Sequence, residues 1–533
     1  MKKVDITNFN YTGKLTLDYL HGKSALSEFY TNQPQIDAFD KQIQLKQNHF
    51  TGEQRQVLYD HLKKQYEQVN TVDAVKHNIK RLKQDNTFTV TTGHQLNLFT
   101  GPLYFIYKII TCLNMAEQLQ KKYPHYHFVP VYWMASEDHD FDEIQSTYLN
   151  GKTLKWNHKS GDAVGKLSLD GLSDAIDQLA ADLNSSDVAQ RLIDFLKADF
   201  KDSKTYAQAF LKLVDYIFQD YGLVVLDADA AELKTLFTRA IKNELTEQHL
   251  EAKVTETSAR LMQLDYKTQV NPRAINLFYL ADEQRKRLIK TKNGLATEDN
   301  EKQFSQEDVL REVDEHPGKF SPNVLMRPLY QEQILPNLAY IGGGAEVAYW
   351  LQLKAYFEEE NTPFPLIFLR NGGLIYDTKQ AEKAKKLSLV LEDLLQNKSR
   401  IDEMVTRRFS DIQIDFEPQI KHLKQQFKSL YQLAKKTDAS FEGAVAAQEK
   451  KQINGLKHLE KRLLKAEKRK RKNFLSRAHQ LKNEFYPQGN LQERQLNFLQ
   501  FYQYQGDDFI NQLKNQFDAF ENDFYLIEFQ DEI

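Results

Sequence analysis

A single cysteine, Cys112, is the whole thiol content of this 533-residue chain. One thiol excludes an internal disulfide framework and any Cys-rich zinc site, and it points to a reducing compartment. Glycine (21) and proline (13) are scarce as well, together 34 of 533 residues, about half the average usage near 12%. That shortage disfavours collagen-like, low-complexity and turn-dense all-β chains. Long apolar runs are also missing. The most apolar stretch, Leu98–Met115, holds Gly101, Pro102, Lys108 and Asn114, which a bilayer span does not tolerate. Near the N-terminus, Asp5, Thr7, Asn8 and Asn10 stand where a signal peptide needs its apolar core. A cytoplasmic protein is expected. Nor is charge of one sign in excess: 71 basic residues face 74 acidic ones, so nothing global favours a nucleic-acid partner.

What is present is enough for a large core, with 41% hydrophobic and 12% aromatic residues, and the length predicts about three structural units. Residues 1–86 read as polar helices, with the sparse apolar residues of Gln33–Leu82 at helical spacing. Thr87–Thr92 is a β-branched and aromatic strand. A glycine-bearing loop follows, and a helix opens at Gly101-Pro102 and runs to about Lys122, with Thr100 placed to cap it. His127–Ala135 is a second buried strand, so the three form a βαβ unit. Strand-like runs recur at Gly222–Leu226, Ala274–Leu280, Leu338–Ile341 and Pro365–Leu369, separated by helices; Asp162–Asp220 reads as a mainly helical insertion. This alternation predicts an open, doubly wound α/β core.

After Asp377 the strands stop. Three seams spaced by threes and fours predict a coiled coil or long helical hairpin. They are Ala384, Leu387, Leu391, Leu394, Ile401 and Val405; then Ile420, Leu423, Phe427 and Leu430; then Leu456, Leu459, Leu463 and Ala466. The hairpin tip is expected at Asp438–Gly443. Eight of the twelve residues of Lys461–Lys472 are basic, but Glu460 and Glu467 interleave and aromatics are absent. A solvated helix face is favoured over a nucleic-acid arm.

In open α/β sheets ligands bind beyond the carboxyl ends of the strands, which directs attention to four loops. After the first strand, Gly93 permits close approach to a ligand, His94 can donate to an anion, and Thr100-Gly101 open a helix whose free N–H groups attract phosphate. After the second come Glu137, Asp138, His139 and Asp140, then Asp142 and Glu143. This costly cluster suits acid–base work, amine recognition or a divalent metal. Asn323, Arg327 and Gln331 fall on one helix face and can grip a carboxylate or phosphate. Gly342-Gly343-Gly344 form a tight loop ahead of a helix, with Glu346 able to reach an amine or ribose hydroxyl. Asp227, Asp229, Arg370 and Asn371 complete the rim. Cys112, mid-helix among apolar residues, reads as packing.

Taken together, TTGHQLNLFTGPLYFIYK (Thr91–Lys108), VPVYWMASEDHDFDEI (Val129–Ile144), FSPNVLMRPLYQ (Phe320–Gln331), GGGAEVAYWLQL (Gly342–Leu353) and YPQGNLQERQLNFL (Tyr486–Leu499) resemble the bacillithiol-biosynthesis cysteine-adding family, BshC. The resemblance implies a Rossmann-like core of the class I nucleotidyltransferase type with helical insertions, plus an α-helical coiled-coil domain. The expected division is residues 1–377 for the core, including N-terminal helices and a connective insertion at about 158–220. Residues 378–485 are then the coiled coil, and 486–533 a segment returning to the core. The implied activity joins cysteine to the amine of glucosaminyl-malate. Amide formation from a free carboxylate is uphill, so ATP or another nucleotide is the candidate activating co-substrate, with Mg alongside it.

On that reading His94, in the place of the superfold's phosphate-binding histidine, steadies phosphate charge with Gly93, Thr100, Gly101 and Gly342–Gly344. Asp138, Asp140 or Glu346 holds the cysteine ammonium, and His139 takes the proton of the attacking amine. Arg327 or Arg370 grips the malate carboxylates, and Gln95, Glu137, Asn323 and Gln331 complete the substrate contacts. No dedicated metal ligands are assigned. The expected partners are small-molecule substrates and a second copy of the chain, with neither a membrane nor nucleic acid. Two alternatives remain open: another carboxylate-activating nucleotidyltransferase of this superfold, or a non-catalytic coiled-coil interaction protein.

Overall fold

Five short strands rich in β-branched and aromatic residues align in parallel in the computed structural model, which describes residues 2–159, 163–281, 284–292 and 294–530. They are β1 (Thr87–His94), β2 (His127–Met134), β3 (Val224–Asp227), β4 (Asn337–Gly342) and β5 (Leu366–Leu369). Their spatial order is β3-β2-β1-β4-β5, and every neighbouring pair is parallel. Chain order reverses between β1 and β4, so the doubly wound expectation holds, and the topological switch point lies between the ends of those two strands.

Helix α1 (Tyr104–Lys122) covers one face of this sheet. Cys112, Met115 and Leu119 from it pack with Phe88, Val90, Leu338, Ile341 and Phe368 of the strands and with Phe39 and Ile43 of a preceding helix. Cys112 is buried there, and its thiol is pushed up to about 12 by that burial; it is packing, as read. Five of the six strand-like runs fall in this sheet near their predicted positions. The exception is Ala274–Leu280. Its strand, Leu277–Ala281, pairs antiparallel with Gln284–Thr291 and with Phe320–Pro322 in a separate five-stranded sheet. An apolar run records burial, not the direction of its neighbours.

Between β2 and β3 lie a short helix (Phe141–Ile144), a hairpin (Ser146–Leu149 with Lys152–Lys155) and three longer helices, Leu172–Asp182, Asp187–Lys201 and Tyr206–Phe218. Asp162, the start of the predicted helical stretch, lies outside the described residues. By internal packing the chain forms one unit from residues up to Leu374 together with Glu493–Ile527, and a second from Ile375–Gln492. In the first unit, strand Lys2–Asp5 pairs antiparallel with the far end of the chain, Lys2 opposite Leu526.

The second unit is helical. Helices α4 (Glu417–Ala434) and α5 (Ala439–Lys470) pack around Phe427, Ala434 and Val445. Asp438 caps α5 by accepting from the Ser440 and Phe441 N–H groups, so the tip lies just before Asp438, and Gly443 sits inside the helix. The first predicted seam is broken by Ser388 at φ +52° and by a short 3-10 turn at Leu391–Leu395, although all six of its residues are buried. Within the basic run, Lys468 pairs with Asp402 and Arg471 with Asp411.

Candidate active site

A cavity of about 1090 Å³ opens at the switch point. The end of β1 supplies Gly93, His94 and Gln95, and the loop after β2 supplies Glu137, Asp138 and His139. Helix α2 (Arg327–Ile334) adds Arg327, and helix α3 (Gly344–Trp350) adds Glu346. The antiparallel sheet contributes Phe278, Arg285, Arg287 and Glu298, and Lys108 reaches in from α1. Parallel strands end here with their helices beginning alongside, so polar side chains gather where the apolar sheet stops.

His94 sits against Tyr104 and Phe105, with ring centroids 5.2 and 5.8 Å away. Burial, reinforced by the positive charges of Lys108 and Arg370, pulls its imidazole down to about 3. It is therefore neutral under all ordinary conditions, and its Nε2 is sealed from solvent without a partner among the described residues. Lys108 donates from Nζ to the Gly93 carbonyl (2.8 Å) and to Glu346 Oε2 (2.5 Å). Glu346 also accepts the Gly343 N–H (2.8 Å) and the Tyr340 hydroxyl (2.6 Å). Burial alone would raise its carboxyl; Lys108 and these donors hold it down to about 2. The amine that Glu346 was expected to reach is the protein's own.

In the acidic loop, Gln95 Nε2 donates to Asp138 Oδ2 (2.8 Å) and to Glu143 (2.7 Å). Asp138 Oδ1 accepts the His139 N–H at 2.8 Å. Asp140 points away from the cavity and caps the short helix Phe141–Ile144 through the Glu143 N–H. Arg285 stacks on Phe278, 3.9 Å from its ring centroid, and donates from Nη1 to His139 Nδ1 at 3.1 Å. A guanidinium can only donate, so His139 Nδ1 is the acceptor and the ring proton sits on Nε2. Glu137, nearly buried, meets Lys234 Nζ at 2.6 Å, and burial raises its carboxyl.

Helix α2 begins at Arg327 with Pro328 in its first turn. Arg327 lies over Trp133 and Tyr340, 5.5 and 5.4 Å from their rings, and donates to Gln331 Oε1 (2.9 Å). Asn323 reaches the cavity too and donates to Asn276 Oδ1 (2.8 Å). Gln331 is fully buried behind Arg327, outside the cavity wall. Arg370 is also turned away: it donates to Glu493 (2.6 Å), Tyr11 (3.0 Å) and the Asn371 carbonyl (2.9 Å). It is a buried structural cation.

Two of the predicted phosphate loops have other causes. Thr100 does not cap α1. Phe99, Thr100 and Gly101 take φ of +50°, +71° and +69°, and Asn497 holds the turn by donating to the Phe99 and Gly101 carbonyls. Neither Thr100 nor Gly101 lines the cavity. In the glycine loop, a Cβ on Gly344 would lie 1.8 Å from Thr12 Oγ1, whereas one on Gly343 would meet only Glu346 Oε2, at 3.5 Å. Gly344 makes room for the N-terminal segment rather than for a ligand, and the Gly343 N–H is spent on Glu346.

Lys108, Arg285 and Lys234 were missed by the sequence reading. Lys108 left a signal: it is the single charged residue in the run from Leu98 to Met115, and a charge on a buried helix needs a partner. Arg285 sits in a polar stretch, QRKRLIKT, where nothing distinguishes it from its neighbours.

Comparison with known proteins adds a second line of observation. Residues 1–371 match the family model described as "Bacillithiol biosynthesis BshC, N-terminal Rossmann-like domain", and residues 373–529 match its "C-terminal coiled-coil domain". Relatives named "Putative cysteine ligase BshC" include one from Christiangramia forsetii, 45% identical over 98% of this chain and 97% of its own. One from Flavobacterium johnsoniae is 46% identical over 97% of each chain. A more distant one, from Cytophaga hutchinsonii, is 35% identical over 93% of this chain and 92% of its own.

Proposed function

Because this chain belongs to the BshC family of bacillithiol biosynthesis, we propose that it is a cysteine ligase that joins L-cysteine to the amine of glucosaminyl-malate through an activated cysteinyl carboxylate. The observation that carries this reading is the switch-point cavity, lined both by cations (Lys108, Arg285, Arg327) and by carboxylates (Glu137, Asp138). A zwitterionic amino acid, a phosphorylated leaving group and a dicarboxylate need such a mixture. A nucleoside triphosphate supplies the activation as a co-substrate. His94, neutral and with a free buried nitrogen, offers a hydrogen bond to developing phosphate charge, and Lys108 provides the fixed positive charge beside it. Asp138, oriented by Gln95, faces the cysteine ammonium, and Arg327, braced by Gln331 and two aromatic faces, meets a carboxylate. His139 acts through its Nε2–H as a donor.

Purified protein, cysteine, glucosaminyl-malate and ATP, followed by thiol labelling and mass spectrometry, should yield the cysteinyl conjugate. No conjugate with any nucleoside triphosphate, together with unchanged cellular bacillithiol after loss of the gene, would sink the reading. The helical hairpin supports a homodimer as part of the same proposal: Leu430, Leu433 and Phe441 are apolar and exposed on it. Sedimentation of the intact protein tests this, and a monomer at every concentration rejects it.

A further inference from the structure

The ligase reading needs a base, because an amino-sugar amine is protonated at neutral pH and an ammonium has no lone pair with which to attack. His139 as placed has its free lone pair occupied by Arg285. Among the carboxylates that line the cavity, Asp138 accepts on both oxygens, and Glu346 accepts from Lys108, Gly343 and Tyr340. Glu143 is exposed and accepts from Gln95, and Glu298 is exposed beside Arg287. Glu137 differs. Its side chain is 12% exposed, into the cavity, and its one ion-pair partner among the described residues is Lys234.

Lys234 Nζ, itself fully buried, lies 2.6 Å from Glu137 Oε1 and 2.6 Å from Asp229 Oδ1. Asp229 in turn meets Lys166 (3.0 Å) and lines a second cavity, of about 580 Å³, beyond the end of β3. We propose that Glu137 is the proton acceptor for the attacking amine, and that Lys234 and Asp229 relay the proton to this second cavity. The relay rests on the ligase reading above.

The step balances without a further reactant. Glu137 carboxylate takes one proton from the ammonium of the amino sugar, freeing the nitrogen lone pair, which forms the C–N bond at the activated cysteinyl carbonyl. The leaving group, a phosphate or nucleoside monophosphate, departs with the electron pair of the C–O bond, and the second N–H proton is lost after Glu137 has been emptied. Emptying is concerted: Lys234 passes a proton to Asp229 as it receives the one from Glu137, so it remains an ammonium throughout. Burial raises Glu137, while Lys234 and Lys166 outweigh burial and lower Asp229. The cavity-side group therefore captures the proton, and the outer one readily surrenders it to water. Arg285 is the other charge facing Glu137.

The experiment compares wild type, Glu137→Gln and Asp229→Asn in single-turnover amide formation, with the amino-sugar substrate and with hydroxylamine, a nucleophile already unprotonated at neutral pH. Glu137→Gln should form the amino-sugar amide about 100-fold more slowly or worse, yet lose far less of its cysteine hydroxamate formation, and that product also reports that the variant folds and activates cysteine. Asp229→Asn should slow the amide step in dilute buffer and recover as a small, permeant buffer is raised. Amide formation by Glu137→Gln at the wild-type rate, or equal loss of both products, overturns the base. An Asp229→Asn rate that is normal or blind to buffer overturns the relay. A wild-type protein that consumes no nucleotide in the presence of cysteine is a different failure, that of the ligase reading itself.

Discussion

Lys108 and Glu346 meet 2.5 Å apart at the point where the strand order reverses. One comes from the second turn of the helix that follows β1, the other from the first turn of the helix that follows β4. The pair therefore clamps together the two halves of the doubly wound sheet at the mouth of the cavity.

Replacing Lys108 with Met should leave Glu346 a carboxylate without its counter-ion. The expected loss is roughly 2–3 kcal/mol, below the ~3–5 of a fully buried pair because Glu346 keeps some solvent contact. The double variant with Glu346→Gln should recover much of that loss, as denaturant titration of the cycle would show.

Acid should dissolve the same clamp in a defined window. Glu346 is held at about 2 against an ordinary 4.5, so the unfolded chain binds its proton first as pH falls. The stability it contributes is complete above about pH 4.5 and is lost down to about pH 2. Glu346→Gln should lose less stability than wild type across that interval.

His94 should behave as a neutral ring. With its imidazole at about 3 against an ordinary 6.5, it stabilises the fold fully above about pH 6.5 and progressively less toward pH 3, since the unfolded chain gains the proton first. NMR of labelled imidazole should show no titration of this residue between pH 8 and 5. An imidazolium signal at pH 6 would contradict the site as drawn.

Gly344→Ala should destabilise the protein by about 1–3 kcal/mol through overpacking against Thr12, while Gly343→Ala should be much milder. Thermal melts of the two, and of Gly344→Ala combined with Thr12→Gly, separate steric crowding from any loss of a ligand-binding loop.

Arg370→Met should lower stability by about 3–5 kcal/mol, because it strands Glu493 in the core. In protein that still folds, the apparent KM for a malate-bearing substrate should be unchanged, whereas Arg327→Met should raise it.

The sheet was legible because β-branched and aromatic runs bounded by polar loops record buried strands well, and the strand ends then located the cavity. His94, Asp138, Arg327 and Glu346 all reach it on that logic. What could not be read was side-chain direction set by distant neighbours. Nothing near Gly344 announces Thr12, and nothing near Arg370 announces Glu493, since both partners arrive from the far ends of the chain. The turn at Phe99–Gly101 looked like a helix cap because its real support, Asn497, also lies far away in sequence. Ala274–Leu280 had the composition of a core strand and became a cavity wall, since apolar content does not encode parallel or antiparallel pairing.

The return of Glu493–Ile527 to the first unit has a consequence for biogenesis. The family boundary at residue 371 falls inside a fold that still lacks Glu493 for Arg370, Asn497 for the strained turn and Leu526 for Lys2. On a ribosome, the first 371 residues would emerge without these supports, while the helical hairpin, built from near neighbours in sequence, can form as soon as it clears the exit tunnel. The nascent Rossmann-like portion can complete these contacts only once the last stretch has been translated.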